Sequence, residues 1–112
     1  MKKILILEDS DERIDRFASA LAGYDVTVCK AVATAIGELY SNAFDWIFLD
    51  YDLGEGNRNG AEVALYLSEY IRDGELVIIH SMNPLGQQEM LGLLPNAHIV
   101  PFSMLIKGLE GG

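Results

Sequence analysis

Lys3-Ile-Leu-Ile-Leu-Glu-Asp9 runs from a lysine through four consecutive apolar residues and closes on two acids. An apolar run without alternation suits a parallel strand covered on both faces. Working outward, four more short runs have the same character: Asp25-Val-Thr-Val-Cys29, Asp45-Trp-Ile-Phe-Leu-Asp50, Leu76-Val-Ile-Ile-His80 and Ala97-His-Ile-Val-Pro101. Segments of helical period lie between them. Ile14, Phe17, Ala18 and Leu21 make one stripe, with Gly23 as its stop, and Val32, Ala35, Ile36 and Leu39 make another. A third helix is expected from Gly60 to Arg72, with Val63, Leu67, Tyr70 and Ile71 inward and Gly74 ending it. Asn83 caps a fourth, Pro84 suits its first turn, Met90, Leu93 and Leu94 form its stripe, and Pro95 stops it. Strands alternating with helices indicate repeated βα units around a parallel sheet.

The fifth crossover has little chain: eleven residues follow Pro101, and Gly108, Gly111 and Gly112 dilute their helical tendency. A short or missing helix there would leave Phe102, Met104, Leu105, Ile106 and Leu109 poorly covered, favouring a homodimer or docking to a partner.

Composition bounds the class. Half of the 112 residues are hydrophobic, and 17 acids against 8 bases give a net charge of -9. That suits one globular domain, spanning residues 1–112, and disfavours nonspecific binding to nucleic acid or an anionic membrane. The apolar runs fall far short of the roughly 18 residues that span a bilayer, and Glu8 interrupts the first too early for a secretory leader. A cytoplasmic protein is expected. The single Cys29 permits no internal disulfide and, among apolar neighbours with no evident base, reads as core. Trp46 also reads as core, and Tyr66 and Tyr70 as a packed or partly exposed helix face. His98 lacks a partner at metal-ligand spacing and reads as structural.

Chemistry concentrates at one sheet edge. In a doubly wound sheet, ligands bind beyond the carboxyl ends of the strands at the point where the winding reverses. Glu8 and Asp9 follow the first strand, Asp50 ends the third, and Asp52 lies two residues on. If those strands are neighbours, the carboxylates converge and raise one another's pKa unless a cation joins them. Mg²⁺, which takes hard oxygen ligands and keeps waters exchangeable for phosphoryl oxygens, is the natural one. The plainer reading is a solvated acidic edge, with Asp11, Glu12 and Asp15 as helix N-terminal acids. Acids at two separate strand ends favour the functional reading. The polar, glycine-rich loop from Gly54 to Gly60 lies at the same edge.

On these residues the chain resembles the receiver domain of response regulators. Lys3-Ile-Leu-Ile-Leu-Glu-Asp9 is similar to that family's first strand and acidic pair, and Phe48-Leu-Asp50 to the strand bearing its phosphoacceptor. The resemblance implies a three-layer, doubly wound, five-stranded parallel sheet of flavodoxin-like order 2-1-3-4-5. It also implies Mg²⁺ held by Glu8, Asp9, Asp50 and the Asp52 carbonyl, a phosphoryl group on Asp50, a switch hydroxyl at Ser81, and a phosphodonor kinase as partner. There are departures. Val100 precedes Pro101 where the family has a lysine, Lys107 lies too far along to be taken as its substitute, Met82 stands where a small residue is usual, and Gly54 replaces a common proline. Phosphoryl transfer depends on positioning and charge, so the missing ammonium weakens ordinary phosphotransfer.

His80-Ser-Met-Asn-Pro-Leu-Gly86 with Leu49-Asp-Tyr-Asp-Leu-Gly54 is similar to a divergent branch described as cyclic-phosphate-processing receivers. There His80 would serve as acid or base, Ser81 and Asn83 would donate hydrogen bonds to phosphate, and the helix starting near Pro84 would offer backbone amides. The plainer alternative makes His80 a satisfied strand-end histidine and Asn83-Pro84 a helix start. Three functions follow, in order: a signalling receiver with Asp50 as phosphoacceptor, a metal-dependent phosphoesterase acting on a small cyclic phosphate through His80, and an unphosphorylated interaction module.

Overall fold

The computed structural model describes residues 1–54, 56 and 58–111. Five strands, β1 (Lys3–Leu7), β2 (Asp25–Cys29), β3 (Trp46–Leu49), β4 (Leu76–Ile79) and β5 (His98–Ile99), form one parallel sheet ordered β2-β1-β3-β4-β5. Between and after them run α1 (Asp11–Ala20), α2 (Val32–Ser41), α3 (Gly60–Tyr70), α4 (Pro84–Leu93) and α5 (Phe102–Gly111). This is the expected doubly wound, flavodoxin-like architecture.

Alternation along the central strands divides the core into two layers. Leu5, Leu7, Ile47, Leu49, Val77 and Ile79 face α2, α3 and α4. Ile4, Ile6 and Phe48 face Phe17 of α1 and Leu105 and Ile106 of α5. Central β1 is almost wholly buried, whereas edge strand β2 has a half-exposed pattern, which is why the former reads as a continuous apolar run. Cys29 is buried, and burial, reinforced by Glu38, pushes its thiol up to about 11, as suits an inert core residue. Trp46 is partly buried, stacked on Phe48 and tilted against Tyr24.

Three helix starts are chemically specified. Ser10, Asn59 and Asn83 cap α1, α3 and α4 by accepting hydrogen bonds from Arg13 N–H, Ala61 N–H, and the Leu85 and Gly86 N–H groups respectively. Gly23 and Gly74, with φ of 92° and 87°, make the turns after α1 and α3.

Three sequence expectations are corrected. Tyr70 and Ile71 do not face inward: they are 61% and 42% exposed, because the chain leaves the helix at Ile71, and Ala61 and Ala64 join Val63 and Leu67 in the buried face instead. Ala18 is exposed beside buried Phe17. Of the alternatives for the fifth crossover, short or missing, the structure has a ten-residue helix whose Leu105 and Ile106 are buried. Of the tail's five apolar residues only Met104 is exposed, so the expected uncovered face is closed and self-association loses that ground. No helix among the described residues is long and apolar enough to cross a membrane.

Candidate functional site

Register brings the site together. Leu7 pairs with Leu49 and Leu49 with Ile79, so the next residue on each strand, Glu8, Asp50 and His80, falls in one row across three neighbouring strands. The ladder continues through that row: Asp50 N–H donates to Leu7 O at 3.1 Å and His80 N–H to Leu49 O at 2.9 Å. Strand alternation points the row to the α1–α5 side of the sheet, where the His80 ring meets Phe17 edge-on at 5.2 Å and lies 6.4 Å from Phe102. All three residues are buried, and one donor atom from each lies within 4.8 Å of the others.

Within the row the two carboxyls have opposite electrostatic fates. Burial alone would raise Glu8, but a hydrogen bond to His80 and another from Ser10 N–H, with the charges of His80 and Arg13, hold it below the usual carboxylate value. The geometry agrees: Glu8 Oε1 lies 3.0 Å from His80 Nε2, and Oε2 accepts from Ser10 N–H at 3.1 Å. Asp50 is pushed the other way, up to about 6, chiefly by burial and further by Glu8. Its Oδ1 accepts one hydrogen bond, from Tyr51 N–H at 2.8 Å.

The row opens into a cleft of about 520 Å³ lined by Glu8, Asp9, Ser10, Arg13, Asp50, Asp52, Met82, Asn83 and Pro84. Asp9 and Asp52 thus reach the same space as Glu8 and Asp50. Asn83 does two jobs there: its Oδ1 caps α4, while its Nδ2 donates to Asp52 Oδ2 at 3.3 Å, tying the loop after β3 to that helix. Ser81 is buried, and its Oγ accepts from Asn83 N–H at 3.1 Å. His80 does not line the cleft; its Nε2 is turned to Glu8, and its Nδ1 is the buried side-chain polar atom without a partner among the described residues. Met82, half exposed, does line it. Of the glycine-rich loop from Gly54 to Gly60, Glu55 and Asn57 lie outside the described residues.

Two glycines permit these approaches. A Cβ on Gly60 would lie 1.8 Å from the Asp50 carbonyl oxygen, so α3 can start against β3 only with glycine there. A Cβ on Gly86 would strike the Tyr51 ring at 2.3 Å, so α4 closes on the residue after Asp50.

Arg13 is the participant that sequence reasoning missed. It sits in the first turn of α1, its guanidinium 3.8 Å from Glu8 Oε1 and 4.9 Å above the Phe102 ring. Its signal was present: it follows the Ser10 cap by three residues, close behind the Glu8–Asp9 pair.

The row and cleft fit a divalent cation: carboxylates converge, Asp50 is costly to ionise alone, and the cleft admits solvent. A cation there would neutralise the carboxylates and the charge of an incoming phosphoryl group. Glu8, Asp9 and Asp50 would hold it, with the Asp52 carbonyl; the nitrogen of His80, spent on Glu8, would orient that ligand.

The chain belongs to the cyclic-phosphate processing receiver domain family, whose model matches residues 3–96. Among solved structures it is similar to the phosphorylated cyanobacterial phytochrome response regulator RcpA, with 25% identity and a TM-score of 0.72 over 98% of this chain and 89% of that one. It is similar in fold to the Mn²⁺-bound response regulator Rcp1 (20% identity, TM-score 0.73, 99% and 91% covered). TrrA of Thermotoga maritima, in complex with Mg²⁺ and BeF, shares the fold at 18% identity and a TM-score of 0.76, over 97% of this chain and 99% of that one. Comparison with curated proteins finds no match.

Proposed function

We propose that this receiver domain is a signalling module whose cleft binds Mg²⁺ at Glu8, Asp9, Asp50 and the Asp52 carbonyl, and whose Asp50 accepts a phosphoryl group from a phosphodonor kinase or a small phosphate compound. The observation that carries the reading is the in-register row that sets Glu8 and Asp50 together in a cleft lined by two more acids, with His80 buried against Glu8. In the transfer, an Asp50 carboxylate oxygen attacks phosphorus while the bond from phosphorus to the donor's bridging atom breaks, and the donor leaves with that bond's electron pair. In this reading Ser81 and Asn83 donate to the phosphoryl oxygens, and Asn83 Nδ2 releases Asp52 to do so.

The family's description, which names cyclic-phosphate processing, suggests a second reading: hydrolysis of such a phosphate, for which His80 would carry the proton. For that reading His80, fully buried and paired with Glu8, must first come free of its pocket. The receiver reading leaves the pair in place to orient a metal ligand, and therefore fits the geometry better.

Two measurements test it. Calorimetry with Mg²⁺ should give a heat of binding that Asp50→Asn strongly weakens. Intact-mass analysis after incubation with acetyl phosphate and Mg²⁺ should show one added phosphoryl group, absent in Asp50→Asn. No adduct, together with turnover of a cyclic phosphate that falls by about a hundredfold in His80→Ala, would replace the receiver reading with the esterase.

A further inference from the structure

We infer that Arg13 is the phosphate-binding cation of the cleft, contacting phosphoryl oxygens at Asp50 from the α1 side. This rests on the receiver reading above and extends it to the group that recognises the anion.

The charge inventory requires such a group. Glu8, Asp9, Asp50 and Asp52 line the cleft, and Arg13 is the one cationic side chain among the described residues that joins them. With all four ionised, a single divalent cation leaves two negative charges uncompensated, and Arg13 cancels one of them on the side where a phosphate oxygen would approach. The lysine that receivers carry after the fifth strand is replaced here by Val100, ahead of Pro101 and Phe102. Arg13 lies over that same segment: its guanidinium stands 4.9 Å from the Phe102 ring centre, and the Phe102 N–H is tied to His80 O at 2.9 Å, beside the acidic row. Arg13 thus brings a positive charge from α1 to the segment that follows Val100.

The side chain is also prepared for the task. Ser10 Oγ accepts from the Arg13 backbone N–H at 3.4 Å, fixing the turn, and the ring of Phe102 supports the guanidinium. Its ionic contact, Glu8 Oε1 at 3.8 Å, is longer than a hydrogen bond, so its donors remain available. A planar guanidinium offers two parallel N–H groups to a phosphoryl edge, which an ammonium cannot.

The sign of the effects separates this role from a structural one. Arg13 should attract phosphate and repel a metal cation; a mere brace for α1 would support both ligands or neither. Titrations of the whole protein with inorganic phosphate in saturating Mg²⁺, and with Mg²⁺ alone, are therefore compared for the parent, Arg13→Gln and Arg13→Lys. Arg13→Gln should weaken phosphate by about tenfold or more, the usual worth of a charge-assisted hydrogen bond, and leave Mg²⁺ binding unchanged or tighter. Arg13→Lys should recover part of the phosphate affinity. Phosphate binding as strong in Arg13→Gln as in the parent, no phosphate binding by the parent, or equal loss of both ligands with a lowered melting temperature would each overturn the assignment. The acetyl phosphate adduct is read separately: its absence in a parent that binds phosphate through Arg13 removes the phosphoacceptor reading and leaves this one standing.

Discussion

Burial and the neighbouring Glu8 push the Asp50 carboxyl up to about 6 from its ordinary value of 3.8, which makes its ionised form a load on the folded state. Between about pH 4 and about pH 6 the folded protein then holds a proton that the unfolded chain has released. Stability tied to protonated Asp50 is present below the unfolded pKa and is lost as pH rises through the folded one. Glu8, held below its ordinary value, acts in the opposite sense: its contribution is present at neutral pH and lost on acidification. The two are separated by subtracting Asp50→Asn from the parent. In chelator, the variant should gain relative stability across that window, on the order of 2–3 kcal/mol, as read by urea unfolding at a series of pH values. A flat difference would mean that Asp50 ionises without penalty. Sequence made the acids legible but not their unequal fates, because the Glu8–His80 pair joins residues 72 apart and follows only from the register of three strands. Arg13 was hidden for a related reason, since its value lies in what α1 faces.

The elements most legible in the sequence were those whose burial leaves a one-dimensional trace. Continuous apolar runs located the central strands, and Asn83-Pro84 located the start of α4. Helix ends were less visible: the apolar period through Tyr70 and Ile71 continued past the point where the backbone turns extended. At α5 the glycines misled, because intrinsic propensity is a weak prior and Leu105 and Ile106 find a ready apolar surface on Phe17, Ile6 and Phe48. That packing can be measured. Ile106→Ala, at a fully buried position, should cost about 2–4 kcal/mol, whereas Met104→Ala, at a position 64% exposed, should stay within about 0.5 kcal/mol of the parent. Similar small effects from both would mean that the tail is not docked.

At the scale of the molecule, a net charge of -9 opposes compaction, and four carboxylates of that excess meet in one cleft at the sheet's carboxyl edge. Screening by any salt should relieve the diffuse part of this repulsion; only a cation that fits the cleft relieves the local part. The two are distinguished in thermal melts at constant ionic strength, with Mg²⁺ exchanged for Na⁺. A ligand that binds only the folded state stabilises it by mass action, about 2.7 kcal/mol at a hundred times its Kd. For a domain of this size that amounts to a rise of roughly ten degrees in Tm. The rise should grow with Mg²⁺ and shrink markedly in Asp50→Asn, although that variant starts from a higher metal-free Tm at neutral pH because it lacks the buried charge. The opposite ordering of the two proteins with and without Mg²⁺ is therefore the signature: Asn at position 50 is better for the empty fold, and Asp better for the loaded one. Equal stabilisation by Na⁺ and Mg²⁺ at matched ionic strength would assign the acidic edge to solvation alone.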